Sequence, residues 1–376
     1  MAERHRPSLY LPTPGGRRAV VVGAGSFGTA VAVLLARGGL RTTLQARTPE
    51  QARRLAGARS NEEYLPGVEL PRELRIEDVG AGLARADFVF LGVPSRGLDE
   101  VIDGLQAHGL PARAAVISLA KGLVPPDGRA PSVLLTALLG EGRVAVVGGP
   151  AHAAEMVGEG AGLVAASTND QLAAAIADVF LRAGVVCEES NDPVGVELAG
   201  AAKNAAALAA GATEAQGLNA AGAAAGHIFA EVWRYAVAQG ARPESLIGLA
   251  GTGDLVATAL APQSRNRRAG ELLGQGVPTA EIPERIGQAV EALESVPLLA
   301  AALAEADVDA PVTSGLSRLI SGELPLDDWI ALVRTTVPIP ARRRVGRPRP
   351  GFWRRLVDRW RAWRQRRTAS SVTTAS

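Results

Sequence analysis

One lysine stands in a stretch of almost nothing but alanine and glycine: Lys203 in GAAKNAAALAAG, residues 200–211. Between Ala199 and Ala225 the only charged residues are Lys203 and Glu214. Burying an ammonium group is costly unless something compensates. If Lys203 faces a cleft lined by alanines, desolvation lowers its pKa towards the acid/base range. If it snorkels outward, it is only a helix charge. Other residues could serve such a cleft. Lys121 in SLAKG directly follows a predicted strand, where open α/β sheets bind ligands, although a surface lysine reads the same way. Asp254 in GTGDL is a candidate carboxylate in a glycine-flanked turn, or simply a helix cap. Ser264, Arg265 and Asn266 in PQSRNRR offer hydroxyl, guanidinium and amide, a set suited to a phosphate, or a solvated arginine-rich turn.

A second group of residues points to a dinucleotide. Gly23, Gly25 and Gly28 in GAGSFG stand in G-x-G-x-x-G register, after an apolar β-branched run and at the start of a helical pattern. In that setting Gly23 permits the tight turn, Gly25 lets the backbone approach a pyrophosphate, and Gly28 lets helix and strand pack closely. The helix N-terminus then presents amide hydrogens to the phosphates. About twenty residues on, an NAD site usually places an acid on the ribose. Here that segment is LQAR, with Gln45 and Arg47 and no acid before Glu50. A guanidinium suits a 2′-phosphate, so NADP(H) is favoured and NAD(H) is the alternative, with a solvated loop charge the bland reading of Arg47.

The elements that must position these residues are legible as a pattern. RAVVV, DFVFLGVPS (87–95), AAVISLAKG (114–122) and VAVVGGP (144–150) are apolar runs, several ending in Gly, Ser or Pro, RTTLQAR reads as a second strand, and helical stretches such as SRGLDEVIDGLQAHG intervene. Continuous apolar strands alternating with helices predict a parallel sheet covered on both faces. Right-handed crossovers make it doubly wound. The fold class is thus α/β: a Rossmann-type domain over 17–190, after a Pro/Gly-rich extension over 1–16. An all-α domain follows over 191–335, where the strand signal disappears, and then a Pro/Arg-rich tail over 336–376.

Composition narrows the function classes. The formal charge of +2 conceals an asymmetry: residues 341–376 hold twelve Arg and one acid, Asp358, a charge of +11, which leaves −9 for residues 1–340. An acidic body gives no grounds for a specific nucleic-acid-binding fold. One cysteine, Cys187, allows no disulfide within the chain, and four histidines show no zinc spacing, so no metal is expected. Neither a signal peptide nor a run of transmembrane length is visible, and a cytoplasmic protein is the expectation.

Taken in order, the motifs resemble those of the bacterial NAD(P)-dependent glycerol-3-phosphate dehydrogenase family. They are GAGSFGTA, NEEYLPGVELP (61–71), AKG, GGPAHAAE, ELAGAAKNAAALAAG, GLAGTGDL, SRNRRAGELLGQG and IGQAVEA, spread over about 18–335. The resemblance implies reversible hydride transfer between NAD(P)H and dihydroxyacetone phosphate, giving sn-glycerol 3-phosphate for phospholipid synthesis. It implies that Ser26, Phe27 and Arg47 contact the dinucleotide and that Lys121 touches both cofactor and substrate. Lys203 would be the acid/base lysine, and Asp254 would orient it or bind a substrate hydroxyl. Ser264, Arg265 and Asn266 would hold the substrate, with Arg265 also reaching the cofactor. Gly149 and Ala153 would line the junction, Glu291 would meet the nicotinamide end, and the chain would be a homodimer.

Three departures lie near the expected cleft. Ala151 stands where the family commonly has Ser or Thr, Ala289 and Ala292 replace residues of its VVEG, and 214–236 replaces its glycine-rich segment. They keep two alternatives open: a related dehydrogenase acting on another hydroxy acid or phosphorylated polyol, or a non-catalytic dinucleotide-binding paralogue. Beyond the family motifs, GFWRRLVDRWRAWRQRR (351–367) spaces Trp353, Leu356, Trp360 and Trp363 on one helical face among arginines. Such a helix suits an anionic membrane surface, whereas the bland reading is a disordered basic extension.

Overall fold

The structure is a computed structural model and describes residues 16–337 except 262 and 289. The lead-in 1–15 and the basic tail from residue 338, including the amphipathic pattern of 351–367, lie outside the described residues. Ten strands occur among the described residues: β1 (Arg18–Val22), β2 (Arg41–Gln45), β3 (Ser60–Asn61), β4 (Leu65–Glu69), β5 (Arg75–Glu77), β6 (Phe88–Leu91), β7 (Ala115–Ser118), β8 (Val144–Gly148), β9 (Gly162–Ala166) and β10 (Val186–Ser190). Eight build one sheet in the order β10-β9-β8-β7-β6-β1-β2-β5, and β3 and β4 form a separate hairpin. β6, β7 and β8 are buried along their whole length, as strands covered on both faces must be. The chain winds outward from β1 in both directions, so a crevice opens at the carboxyl ends of β1 and β6, the general ligand position in such sheets.

The sheet departs from the all-parallel expectation at one edge. β9 pairs antiparallel with β8, and β10 parallel with β9. Between β8 and β9 the chain forms only a six-residue helix, Ala153–Gly158, and turns back alongside β8. The short β5 and the β3–β4 hairpin lack the long apolar runs that mark the central strands.

After Ser190 the described chain forms helices only. Asp192 starts the first of them: its carboxylate accepts from the Gly195 amide at 2.9 Å, the Arg242 amide at 2.7 Å and the Ser245 hydroxyl at 2.7 Å. Pro193 follows at the first helical position, where its missing N–H costs nothing. The helix Pro193–Ala212 is buried along nearly all its length and packs against Leu218–Ala238, Arg265–Gly274 and Glu291–Glu305. Two glycines set how close the second of these comes. A Cβ at Gly211 would lie 2.1 Å from the Arg267 carbonyl oxygen, and one at Gly270 would lie 2.0 Å from that of Leu208. The two helices therefore meet backbone to backbone, which carries the Ser264–Asn266 turn to the lysine helix. Among the described residues no single helix is long and apolar enough to cross a membrane.

Candidate active site

At the glycine turn the three positions differ in what they require. Gly23 has φ +105°, and a Cβ there would come within 2.6 Å of the Gly92 carbonyl oxygen. A Cβ at Gly28 would lie 2.1 Å from the Gly23 carbonyl oxygen, so strand and helix touch directly. Around Gly25 the space is open to 4 Å, and Gly25 caps the helix Ser26–Arg37 without a side-chain hydrogen bond. A tight turn, an open glycine and a helix N-terminus aimed from it suit a pyrophosphate. Beside it, Gln45 is buried and donates to the Ala81 carbonyl at 2.7 Å, so its amide is already engaged. Arg47 is exposed just past β2, its backbone N–H donating to Gln51 at 2.9 Å.

The charged cluster forms where three elements converge. Lys203 sits midway along Pro193–Ala212 and is only 7% exposed. Asp254, 3% exposed, opens the helix Asp254–Leu260 directly after a π-helical turn, Leu249–Gly253. Lys121 lies just past β7. Its Nζ is 2.7 Å from Asp254 Oδ2, donates to the Gly149 carbonyl at 3.0 Å, and lies 5.7 Å from the centre of the Phe27 ring. Lys203 Nζ stands 3.7 Å from the same Asp254 oxygen. The carboxylate is thus shared between two lysines and lies nearer to Lys121. Gly149 has φ +108°, and a Cβ there would fall 2.3 Å from the Gly162 carbonyl oxygen, so glycine is needed to present this acceptor.

Two opposed effects set the charges. Burial pushes the Lys203 ammonium down, the adjacent Asp254 opposes this and Lys121 adds to it, and the net shift is downward. Burial pushes the Asp254 carboxyl up, but the charges of Lys121 and Lys203 outweigh it and hold the group below its ordinary value. The site therefore keeps an anion between two cations, with one lysine eased towards proton release.

A chain of amides links this cluster to the other predicted residues. Asn204 Nδ2 donates to the Lys121 carbonyl at 3.0 Å and to Glu291 at 3.1 Å. Asn266 Nδ2 donates to Asn204 Oδ1 at 2.8 Å, and Asn266 Oδ1 accepts from the Ala292 amide at 3.2 Å. Ser264 accepts from the Arg267 amide at 3.4 Å and caps the helix Arg265–Gly274, while Arg265 is exposed at its first position. Ala153, at the start of Ala153–Gly158, packs with Phe27 and Ala151 against the core beneath the sheet. Direct bonds or ion pairs thus join Lys121, Gly149, Lys203 and Asp254, and Asn204 ties Glu291 and Asn266 to them through the Lys121 carbonyl. Arg47 stands apart at the end of β2, and Ala289 lies outside the described residues.

Two members of the site are absent from the sequence-based set. Asn204 is as anomalous in its alanine helix as its neighbour Lys203, and that anomaly was its signal. Thr258 donates to Asp254 Oδ1 at 3.4 Å, an i,i+4 pair on one helix face. Among the described residues no group of three or more His, Cys, Asp or Glu side chains could hold a metal ion.

Comparison with known proteins agrees in extent with this architecture. The profile of the NAD-dependent glycerol-3-phosphate dehydrogenase N-terminus matches residues 18–174, and that of its C-terminus matches residues 192–331. The chain is 41% identical over 310 residues to a glycerol-3-phosphate dehydrogenase [NAD(P)+] of Deinococcus radiodurans, covering 81% of this chain and 90% of that one. It is 38% identical over 307 residues to the enzyme of the same name from Geobacillus thermodenitrificans, covering 80% and 89%. Among solved structures, glycerol-3-phosphate dehydrogenase from Coxiella burnetii superposes with a TM-score of 0.79 at 30% identity, covering 85% of this chain and 99% of that one.

Proposed function

The chain belongs to the NAD-dependent glycerol-3-phosphate dehydrogenase family, and from that premise we propose how its own residues serve the reduction of dihydroxyacetone phosphate to sn-glycerol 3-phosphate. The reading is carried by one observation: buried Lys203 and half-buried Lys121 share the Asp254 carboxylate at the carboxyl ends of the sheet, beside the glycine turn. A bound nicotinamide supplies a hydride to the substrate's carbonyl carbon. Lys203 gives its proton to the carbonyl oxygen as negative charge develops there, and its lowered pKa eases that transfer. In the reverse direction neutral Lys203 removes the hydroxyl proton. Asp254 keeps both ammonium groups in place, and Lys121 stabilises the oxygen and the phosphate by charge. Ser264, Arg265 and Asn266 hold the phosphate, and Glu291 meets the nicotinamide end through its bond to Asn204. Gly23, Gly25, Ser26, Phe27 and Gly28 bind the dinucleotide, with Arg265 and Ala153 closing over it.

Two finer points belong to the same reading. NADP(H) is the preferred cofactor, because Gln45 is tied to Ala81 and Arg47 offers a cation to a 2′-phosphate. The chain acts as a homodimer, as its family resemblance implies, and sedimentation equilibrium tests this. The experiment for the function is turnover of dihydroxyacetone phosphate with NADPH and with NADH in parallel. Turnover with NADPH ahead of NADH is expected. Tight NADPH binding without turnover would mean that the altered segments at Ala151, Ala292 and 214–236 have changed the substrate or ended catalysis. Equal use of both cofactors would remove the Arg47 assignment.

A further inference from the structure

The segment NEEYLPGVELP has no role in the reading above, yet it inserts a polar side chain beneath the glycine turn. Asn61, on β3, is 1% exposed. Its Nδ2 donates to the Ala24 carbonyl at 3.0 Å and to the Thr29 hydroxyl at 2.8 Å. A carbonyl only accepts, so the NH2 end must be the one facing Ala24. The other end, Oδ1, is buried and has no partner among the described residues. An orphaned buried acceptor is unfavourable, so what the residue contributes lies in its two donated hydrogens.

One of those hydrogens falls in the middle of the G-A-G turn. The Ala24–Gly25 peptide is planar and trans, so its C=O and N–H point in opposite directions. Drawing the Ala24 oxygen inward to Asn61 turns the Gly25 N–H outward. The Thr29 bond ties the same amide to the first turn of the helix Ser26–Arg37. The hairpin that carries Asn61 is itself braced. Leu65, Leu70 and Leu74 are buried in the core of the dinucleotide domain. Arg59 donates to the Leu74 and Leu70 carbonyls at 3.1 Å and 3.2 Å and also to the Pro71 carbonyl.

We infer that Asn61 is a positioning residue for dinucleotide binding: by holding the Ala24 carbonyl inward it aims the Gly25 N–H at the pyrophosphate. The inference rests on the dinucleotide-binding reading, and the two fail separately. NADPH and NADH dissociation constants are measured on folded wild type, Asn61→Ala, Thr29→Val and Arg59→Ala, together with their thermal midpoints. Asn61→Ala is expected to weaken both cofactors about tenfold, the scale of one lost hydrogen bond to a charged group. Thr29→Val, which leaves the amide oriented by Ala24 alone, should weaken them about threefold. Arg59→Ala loosens the same hairpin without touching the turn and should lower the thermal midpoint while leaving affinity within about twofold.

Unchanged affinity in folded Asn61→Ala overturns the proposal, as does an equal loss in Arg59→Ala. If Asn61→Ala does not fold, unchanged affinity in Thr29→Val overturns it instead. Failure of the wild type to bind either cofactor would sink the dinucleotide reading itself.

Discussion

At the scale of single residues, Asp254 has the most to do, because its carboxylate lies between Lys121 and Lys203. Lys203 titrates below the ordinary lysine value of 10.5. In the reducing direction it must start protonated, so turnover should fall as pH rises through that lowered pKa. In the oxidising direction it must start neutral, so turnover should rise over the same limb. Removing the anion strengthens the effect of burial: in Asp254→Asn the alkaline limb of reduction should move to lower pH, with a loss of about 10²-fold or more in turnover at neutral pH. A pH–rate profile in both directions checks this, and an unmoved limb would separate Asp254 from the lysine's titration. Lys203 stood out in the sequence as a charge in an alanine helix and Lys121 as a lysine just past an apolar strand, although position alone let either be a surface charge. The sharing of one carboxylate was not legible there. It joins residues 133 and 51 positions apart in the chain, a distance no local pattern spans.

At the scale of elements, the helix Arg265–Gly274 brings Ser264, Arg265 and Asn266 to the lysine helix, and two glycines set its approach. Gly270→Ala places a methyl group against the Leu208 carbonyl, and neither backbone can yield without moving a helix. The expected cost is about 1–3 kcal/mol in urea unfolding, with a raised KM for dihydroxyacetone phosphate because the Asn266–Asn204 bond shifts. Normal stability and KM would show that the contact gives way without disturbing the turn. The sequence displayed these glycines as part of a motif but carried no sign of which surface they touched. Strand identity was plain for β1, β2, β6, β7 and β8, whose neighbours cover both faces. It was faint for β5, β10 and the hairpin, which are short or lie at an edge, and for the interior β9, whose run GLVAA is mostly Gly and Ala. The reversal of β9 depends on where a six-residue helix leaves the chain, and periodicity does not encode that.

At the scale of the whole molecule, charge is unevenly shared: −9 over residues 1–340 and +11 over 341–376. Their sum of +2 says little about either part. We propose that the tail, rich in tryptophan and arginine, docks on an anionic lipid surface, where an enzyme whose product enters lipid synthesis would act close to its consumers. Full-length protein should sediment with vesicles rich in anionic lipid and be released by salt, whereas a chain ending before Ala341 should stay in solution with turnover unchanged. Binding by the shortened chain would transfer the surface to the body and end the tail proposal.

The central claim is that Lys203 moves the proton while the glycine turn holds the cofactor independently of it. The most direct measurement is made on Lys203→Ala: the NADPH dissociation constant by fluorescence, and the loss of NADPH absorbance with dihydroxyacetone phosphate at saturation. Cofactor affinity within about twofold of wild type and turnover lower by about 10²–10⁴-fold is the predicted pair of results. Near-normal turnover in that variant would contradict the assignment and leave the buried lysine without its role.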